Sequence, residues 1–67
     1  MALSAAASIS RREQQVLQLL SAGLSEREIA ARLSLSGATV QTHLKSIYHK
    51  LGVHNRTQAA AQAQALK

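Results

Sequence analysis

Apolar residues recur along this chain at helical spacing, in stretches separated by short polar breaks. Val16, Leu17, Leu19 and Leu20 form a broad stripe, while Gln14, Gln18 and Ser21 fall on the opposite side. Ile29 and Leu33 sit one turn apart, with Ala30 beside them. Val40, Leu44, Ile47 and Leu51 recur at i, i+4, i+7 and i+11, a narrow stripe down one side of a longer helix. The punctuation agrees with this pattern. Ser10 precedes Glu13, and Ser25 precedes Glu28, by the spacing of a capping box, in which each side chain satisfies the other residue's free backbone N–H. Asn55 and Gln58 repeat that spacing more weakly, and Ser36 can cap a helix alone. Gly23 and Gly52 each follow an apolar-periodic stretch, where a helix-ending glycine belongs. These signals predict helices at about 11–22, 26–33, 37–51 and 56–66. No stretch alternates in the manner of a strand, so the fold class is all-α. Three helices with one apolar side each can enclose a single small core, and Ile9 is placed to staple the entry to the first.

The joint between the second and third helices is short: only Ser34 and Leu35 separate Leu33 from Ser36. An abrupt connection of this kind suits a steep crossing, with Leu35 tucked inward and the small Ala30 where the helices pass closest. That is the helix-turn-helix arrangement, whose second helix projects its outer face into the DNA major groove. The side of the third helix away from its apolar stripe carries Thr42, Lys45 and His49, with Gln41 at the edge. Thr39, His43, Ser46 and Lys50 lie on the other flank. All are hydrogen-bonding side chains and none is acidic, whereas a merely solvated helix face mixes charge signs. Gln pairs bidentately with adenine, Lys with guanine O6 and N7, and the Thr methyl packs on the thymine methyl. The N–H groups of residues 37–39 form an anion seat to which Gly37 grants close approach. Arg27 and Arg56 are further candidates for the phosphate backbone, although each alone also fits a solvated charge.

Composition narrows the classes. The chain has 67 residues, enough for one small domain, and a formal net charge of +5. A basic chain of this size suits a polyanionic partner, nucleic acid first, although solubility alone also explains such a surface. Tyr48 is its single aromatic residue, which argues against single-strand binders that stack bases on several rings. Cysteine and aspartate are absent, so neither a Cys nucleophile nor a Ser-His-Asp triad can be built, and no enzyme activity is expected. His43 and His49 face different sides of one helix and His54 lies beyond Gly52, so neither a metal site nor a cofactor is expected. No apolar run approaches the roughly 20 residues of a membrane span, and no secretory leader is apparent. The opening residues 1–8 read as a flexible linker or an expression remnant, and 9–67 as the folded domain.

Three stretches then carry a resemblance: SRREQQVLQLLSAGLSEREIAARL, LSGATVQTHLKSIYHKLGV and NRTQA. Together they resemble the LuxR/FixJ-type (GerE-like) helix-turn-helix domain of bacterial transcription regulators, from about Ile9 to Leu66. Glu13, Leu17 and Gly23 stand where that family rarely varies. The resemblance implies a four-helix domain whose third helix reads double-stranded DNA and whose fourth supplies a homodimer contact. Carried over residue by residue, it puts base reading on Gln41, Thr42 and Lys45. Backbone contacts fall on Ser36, Thr39, His43 and Lys50, with Arg27 and Arg56, and the dimer contact on Ala59, Ala60, Ala63 and Leu66; His49, by its place on the third helix, reads as a further phosphate-facing donor or a plain surface residue. Glu13 is implied to brace the first helix. Gln15 and Gln41 depart from the family's usual Glu and basic residue, and the second departure shifts the expected base from guanine towards adenine. Such domains serve cytoplasmic regulators as the output end of a two-component response regulator, with RNA polymerase and an N-terminal regulatory domain as partners. A quorum-sensing-type, ligand-controlled regulator is the alternative context. A protein-interaction helix-turn-helix that reads no DNA is the rival function, but its face should carry exposed Leu, Met or aromatic anchors. A membrane-surface helix would want Trp or Phe, and the chain has neither.

Overall fold

A computed structural model describes residues 9–65. They form four helices: α1 (Arg11–Ser21), α2 (Glu26–Leu33), α3 (Gly37–Leu51) and α4 (Arg56–Ala65). The expected spans of α2 and α3 agree with these bounds. α1 stops one residue sooner than expected, because Ala22 serves as its C-cap. The expectations for residues 1–8 and for Leu66 lie outside the described residues.

Both capping boxes form. Ser10 Oγ accepts the Glu13 amide at 3.1 Å while Glu13 Oε1 accepts the Ser10 amide at 3.0 Å. Ser25 and Glu28 repeat the exchange at 3.1 and 2.8 Å. Each box satisfies two backbone donors that the first turn leaves without helical partners. The α4 entry is a variant. Asn55 Oδ1 accepts the Gln58 amide at 2.9 Å, but Gln58 Oε1 reaches back to the His54 amide at 2.7 Å, one residue earlier than a reciprocal box requires.

α1, α2 and α3 end in the same hydrogen-bonded turn. Leu24 N bonds to the Leu19 carbonyl at 3.1 Å, Leu35 N to Ala30 at 2.8 Å and Val53 N to Tyr48 at 3.0 Å. Each turn needs a residue in the left-handed region just past the helix. Gly23 and Gly52 supply it, at φ 98° and 68°, as the sequence predicts. At α2 the residue is Ser34, at φ 59°. A serine there costs about 1 kcal/mol, and nothing in the local sequence announces it. The turn persists because it delivers Leu35 to the core, where it packs half-buried. The expected inward placement of Leu35 therefore holds.

The core draws on all four helices. Val16, Leu17 and Leu20 of α1 meet Ile29 and Ala30 of α2 and Val40, Leu44 and Ile47 of α3. Ile9, Leu33 and Leu51 pack half-buried at its edge. α4 contributes Ala59 and Ala63, both buried against the rest of the protomer. This corrects the expectation that Ala59 and Ala63 belong to a dimer surface. An alanine-rich helix carries little apolar contrast between its sides, so the sequence pattern did not identify which side faces inward. The short side chains let α4 lie close along α1, its main neighbour. Ala60 is half-buried. Among the described residues, no helix is long and apolar enough to cross a membrane.

Candidate nucleic-acid interface

α3 buries Val40, Leu44 and Ile47 and turns a continuous stripe outward: Ala38, Gln41, Thr42, Lys45 and His49 are all exposed. The spacing of the buried residues dictates this, because side chains half a helical turn away from an inward stripe must face solvent. The three residues expected to read bases, Gln41, Thr42 and Lys45, thus share one exposed face. Thr42 Oγ1 donates to the Ala38 carbonyl at 3.0 Å. Its hydroxyl proton is held on the helix, leaving lone pairs and the γ-methyl for a partner. Gln41 Nε2 lies 3.4 Å from Glu26 Oε1 on α2, a long hydrogen bond that crosses the joint. Lys45 has no partner among the described residues.

The start of α3 forms a polar corner. Ser36 Oγ accepts the Thr39 amide at 3.1 Å, and the two hydroxyls lie 2.9 Å apart. The Val40 amide bonds to the Ser36 carbonyl at 3.1 Å. Among the described residues no acceptor meets the Gly37 and Ala38 amides. Two N–H groups therefore point outward where the helix dipole favours an anion. A Cβ built on Gly37 meets nothing within 4 Å, and the backbone there is not left-handed. Packing within the protomer does not require a glycine at this position.

Lys50 lies elsewhere. Its Nζ is 2.7 Å from Glu13 Oε1, with the lysine side chain 30% exposed and the carboxylate 7%. Burial pushes the Glu13 carboxyl up. Hydrogen bonds from Lys50, Ser46 and the Ser10 backbone, together with the Lys50 charge, outweigh it and hold the pKa at about 2. Glu13 is the buried charged residue among those described, and it ties the start of α1 to the last turns of α3. The implied bracing role of Glu13 is thereby given a partner. In the free protomer the Lys50 ammonium neutralises a carboxylate that burial would otherwise leave uncompensated, an engagement that the expected phosphate role did not include. Arg56 is likewise engaged. Its Nη2 donates to the Leu24 carbonyl and lies 3.5 Å from that of Leu20, fastening α4 to the α1–α2 turn. This anchoring stands beside its expected role as a backbone contact, since Arg56 is exposed and only its Nη2 is engaged among the described residues. Arg27 is exposed on α2, His49 is exposed on α3, and His43 is half-buried beside the outward stripe.

Sequence reasoning missed Glu26. The signal was available only in part, since a carboxylate at the start of α2 also suits the helix dipole. The missed ion pair joins residues 37 positions apart, beyond the reach of any local pattern.

The comparisons with known proteins complete this geometry. Residues 7–63 match the luxR family of bacterial regulatory proteins, the GerE domain. The chain belongs to that family. It is 49% identical over 53 residues to the HTH-type transcriptional regulator YhjB of Escherichia coli K12, covering 79% of this chain and 26% of YhjB. It is 43% identical over 58 residues to the transcriptional regulator MalT of Serratia proteamaculans, covering 87% of this chain and 6% of MalT. The response regulator ChrA of a heme-sensing two-component system superposes with a TM-score of 0.80 at 55% identity, covering 90% of this chain and 31% of ChrA. The chain thus spans about a quarter or less of these two regulators' lengths and about a third of ChrA's. It is a LuxR-type helix-turn-helix, the DNA-binding domain of transcriptional regulators.

Proposed function

We propose that this domain reads double-stranded DNA by laying α3 in the major groove, as the output domain of a response regulator. One observation carries the reading. The exposed stripe of α3 holds Gln41, Thr42, Lys45 and His49, all able to hydrogen-bond and none acidic, directly beside two unpaired amides at the helix start. Gln41, Thr42 and Lys45 meet base edges. Ser36, Thr39 and the amides of Gly37 and Ala38 seat one phosphate, while Arg27, His43 and His49 flank the neighbouring backbone and fix the register. The likeness to ChrA supports the response-regulator context over a ligand-controlled one. The scarcity of apolar anchors on the α3 stripe weighs against a pure protein-interaction module.

One such module contacts few base pairs, so we infer a homodimer on paired half-sites. With Ala59 and Ala63 buried, the outward side of α4 around Thr57, Ala61 and Ala65 is the surface left for this contact.

The test is selection from a randomised duplex library at about 150 mM salt, near physiological screening. The expected result is an enriched short motif, repeated as two half-sites. Retention without enrichment would reduce the domain to a non-specific basic binder. No retention by a folded sample would bring the protein-interaction reading forward.

A further inference from the structure

We propose that Glu26, although it lies on α2, sets which base Gln41 accepts. This rests on the reading of α3 as the base-reading helix. Gln41 stands on the exposed stripe of α3, and its Nε2 donates to Glu26 Oε1 across the joint at 3.4 Å. Both side chains are exposed. A carboxylate only accepts hydrogen bonds, so the amide nitrogen, not the amide oxygen, must face it. That choice fixes which way the carboxamide points. One Nε2 hydrogen goes to Glu26, and one Nε2 hydrogen and Oε1 remain for a base.

A single donor beside a single acceptor matches one base edge well. Adenine offers N7 as acceptor and the N6 amino group as donor. Every hydrogen-bonding group of Gln41 is then satisfied at once. Guanine offers N7 and O6, both acceptors. Against guanine, Oε1 of the held carboxamide would face O6, two lone pairs in contact in a groove from which water has been displaced. With one Nε2 hydrogen held by Glu26, Gln41 has a single donor left and cannot meet a base edge that offers two acceptors. Glu26 therefore acts by exclusion as much as by attraction, the second route to specificity. Without Glu26 the carboxamide is free to turn and to offer both Nε2 hydrogens to guanine. In water the long contact is weak. Docking removes the competing solvent, and the pairing then has to be satisfied or broken.

The experiment is library selection with the full 67-residue chain, run for the wild type, Gln41→Ala, Glu26→Ala, Glu26→Gln and the double variant Glu26→Ala with Gln41→Ala. Circular dichroism first establishes equal helix content. Gln41→Ala defines the base position that Gln41 reads. Glu26→Ala is expected to lower the preference for adenine over guanine at that position about tenfold, with the other positions unchanged. Glu26→Gln retains an acceptor oxygen and should keep most of the preference. The double variant should lose no more than Gln41→Ala alone, since Glu26 acts through Gln41. An unchanged motif for Glu26→Ala, or equal loosening at every position, would overturn the proposal while leaving α3 as the reader. A wild-type chain without a motif, or a Gln41→Ala motif identical to wild type, would overturn both.

Discussion

Lys45 and Lys50 sit on the same helix, and the molecule uses them for different ends. Five residues separate them, which turns the second about 140° around the axis from the first. Lys45 stands exposed on the outward stripe with no partner among the described residues. Lys50 turns inward over the start of α1, where its ammonium meets the Glu13 carboxylate at 2.7 Å. One cation is available to a polyanion, and the other compensates a buried charge of its own protomer. Residue type and position in the sequence do not separate them; the face of the helix does.

The comparison makes a crossed prediction. Lys50→Ala should cost about 3 kcal/mol of folding stability, because it strands a buried carboxylate. Urea unfolding measures it. The loss lies at the lower end for a broken buried pair, since the Lys50 side chain is 30% exposed. Glu13→Gln combined with Lys50→Met should recover most of it, as neutral partners need no compensation. Lys45→Ala should leave unfolding almost unmoved and instead cost about 1–3 kcal/mol of binding on a cognate duplex, with selectivity relaxed at one position. Equal weakening on all duplexes would make Lys45 a phosphate contact. Were Lys50→Ala to spare stability and abolish binding, the division between the two lysines would fail.

Acid sharpens the same contrast. The Glu13 carboxyl has its folded pKa lowered from 4.5 to about 2. A depressed carboxylate contributes stability that is present above its unfolded pKa and is lost as pH falls towards the folded value. Stability should therefore hold from neutral pH down to about 4.5 and fall between there and about 2. Glu13→Gln should flatten that fall. Some slope should remain, because Glu28 is also lowered, first by the Ser25 backbone hydrogen bond and then by the Ser25 hydroxyl. Thermal melts across this range test both statements.

Two smaller effects bound the interface. Gly37→Ala should raise stability by about 0.5–1 kcal/mol, since alanine is the better helix former and its Cβ meets nothing within 4 Å. Binding should nevertheless weaken several-fold if a phosphate closes on the amides of Gly37 and Ala38. Unchanged binding would remove the phosphate from that corner. Gln18→Ala, on the exposed side of α1, should change stability by no more than about 0.5 kcal/mol and leave affinity alone. A large loss of binding there would put the interface on the wrong face.

Much of this was legible in local chemistry. Ser10 with Glu13 and Ser25 with Glu28 announce two helix starts, and Gly23 and Gly52 announce two ends, because capping acts over three or four residues. The stripe of Val40, Leu44 and Ile47 fixes what α3 buries, and so leaves Gln41, Thr42 and Lys45 outside. The left-handed Ser34 was not legible, because the force that holds it there is the packing of Leu35 on residues of other helices. The inward side of α4 was not legible either, because alanine reads alike in water and in a core.

The sequence by itself therefore determined the helices, their order and the exposed face of α3, all consequences of interactions within a turn or two of backbone. Only the tertiary structure decided that Lys50 and Arg56 serve the protomer, that Ala59 and Ala63 lie inside it and that Glu26 reaches Gln41. Those assignments depend on atoms that chain folding brings within a few ångströms across long separations. Burial and charge compensation act on distance in space, and the order of residues along the chain does not encode that distance locally.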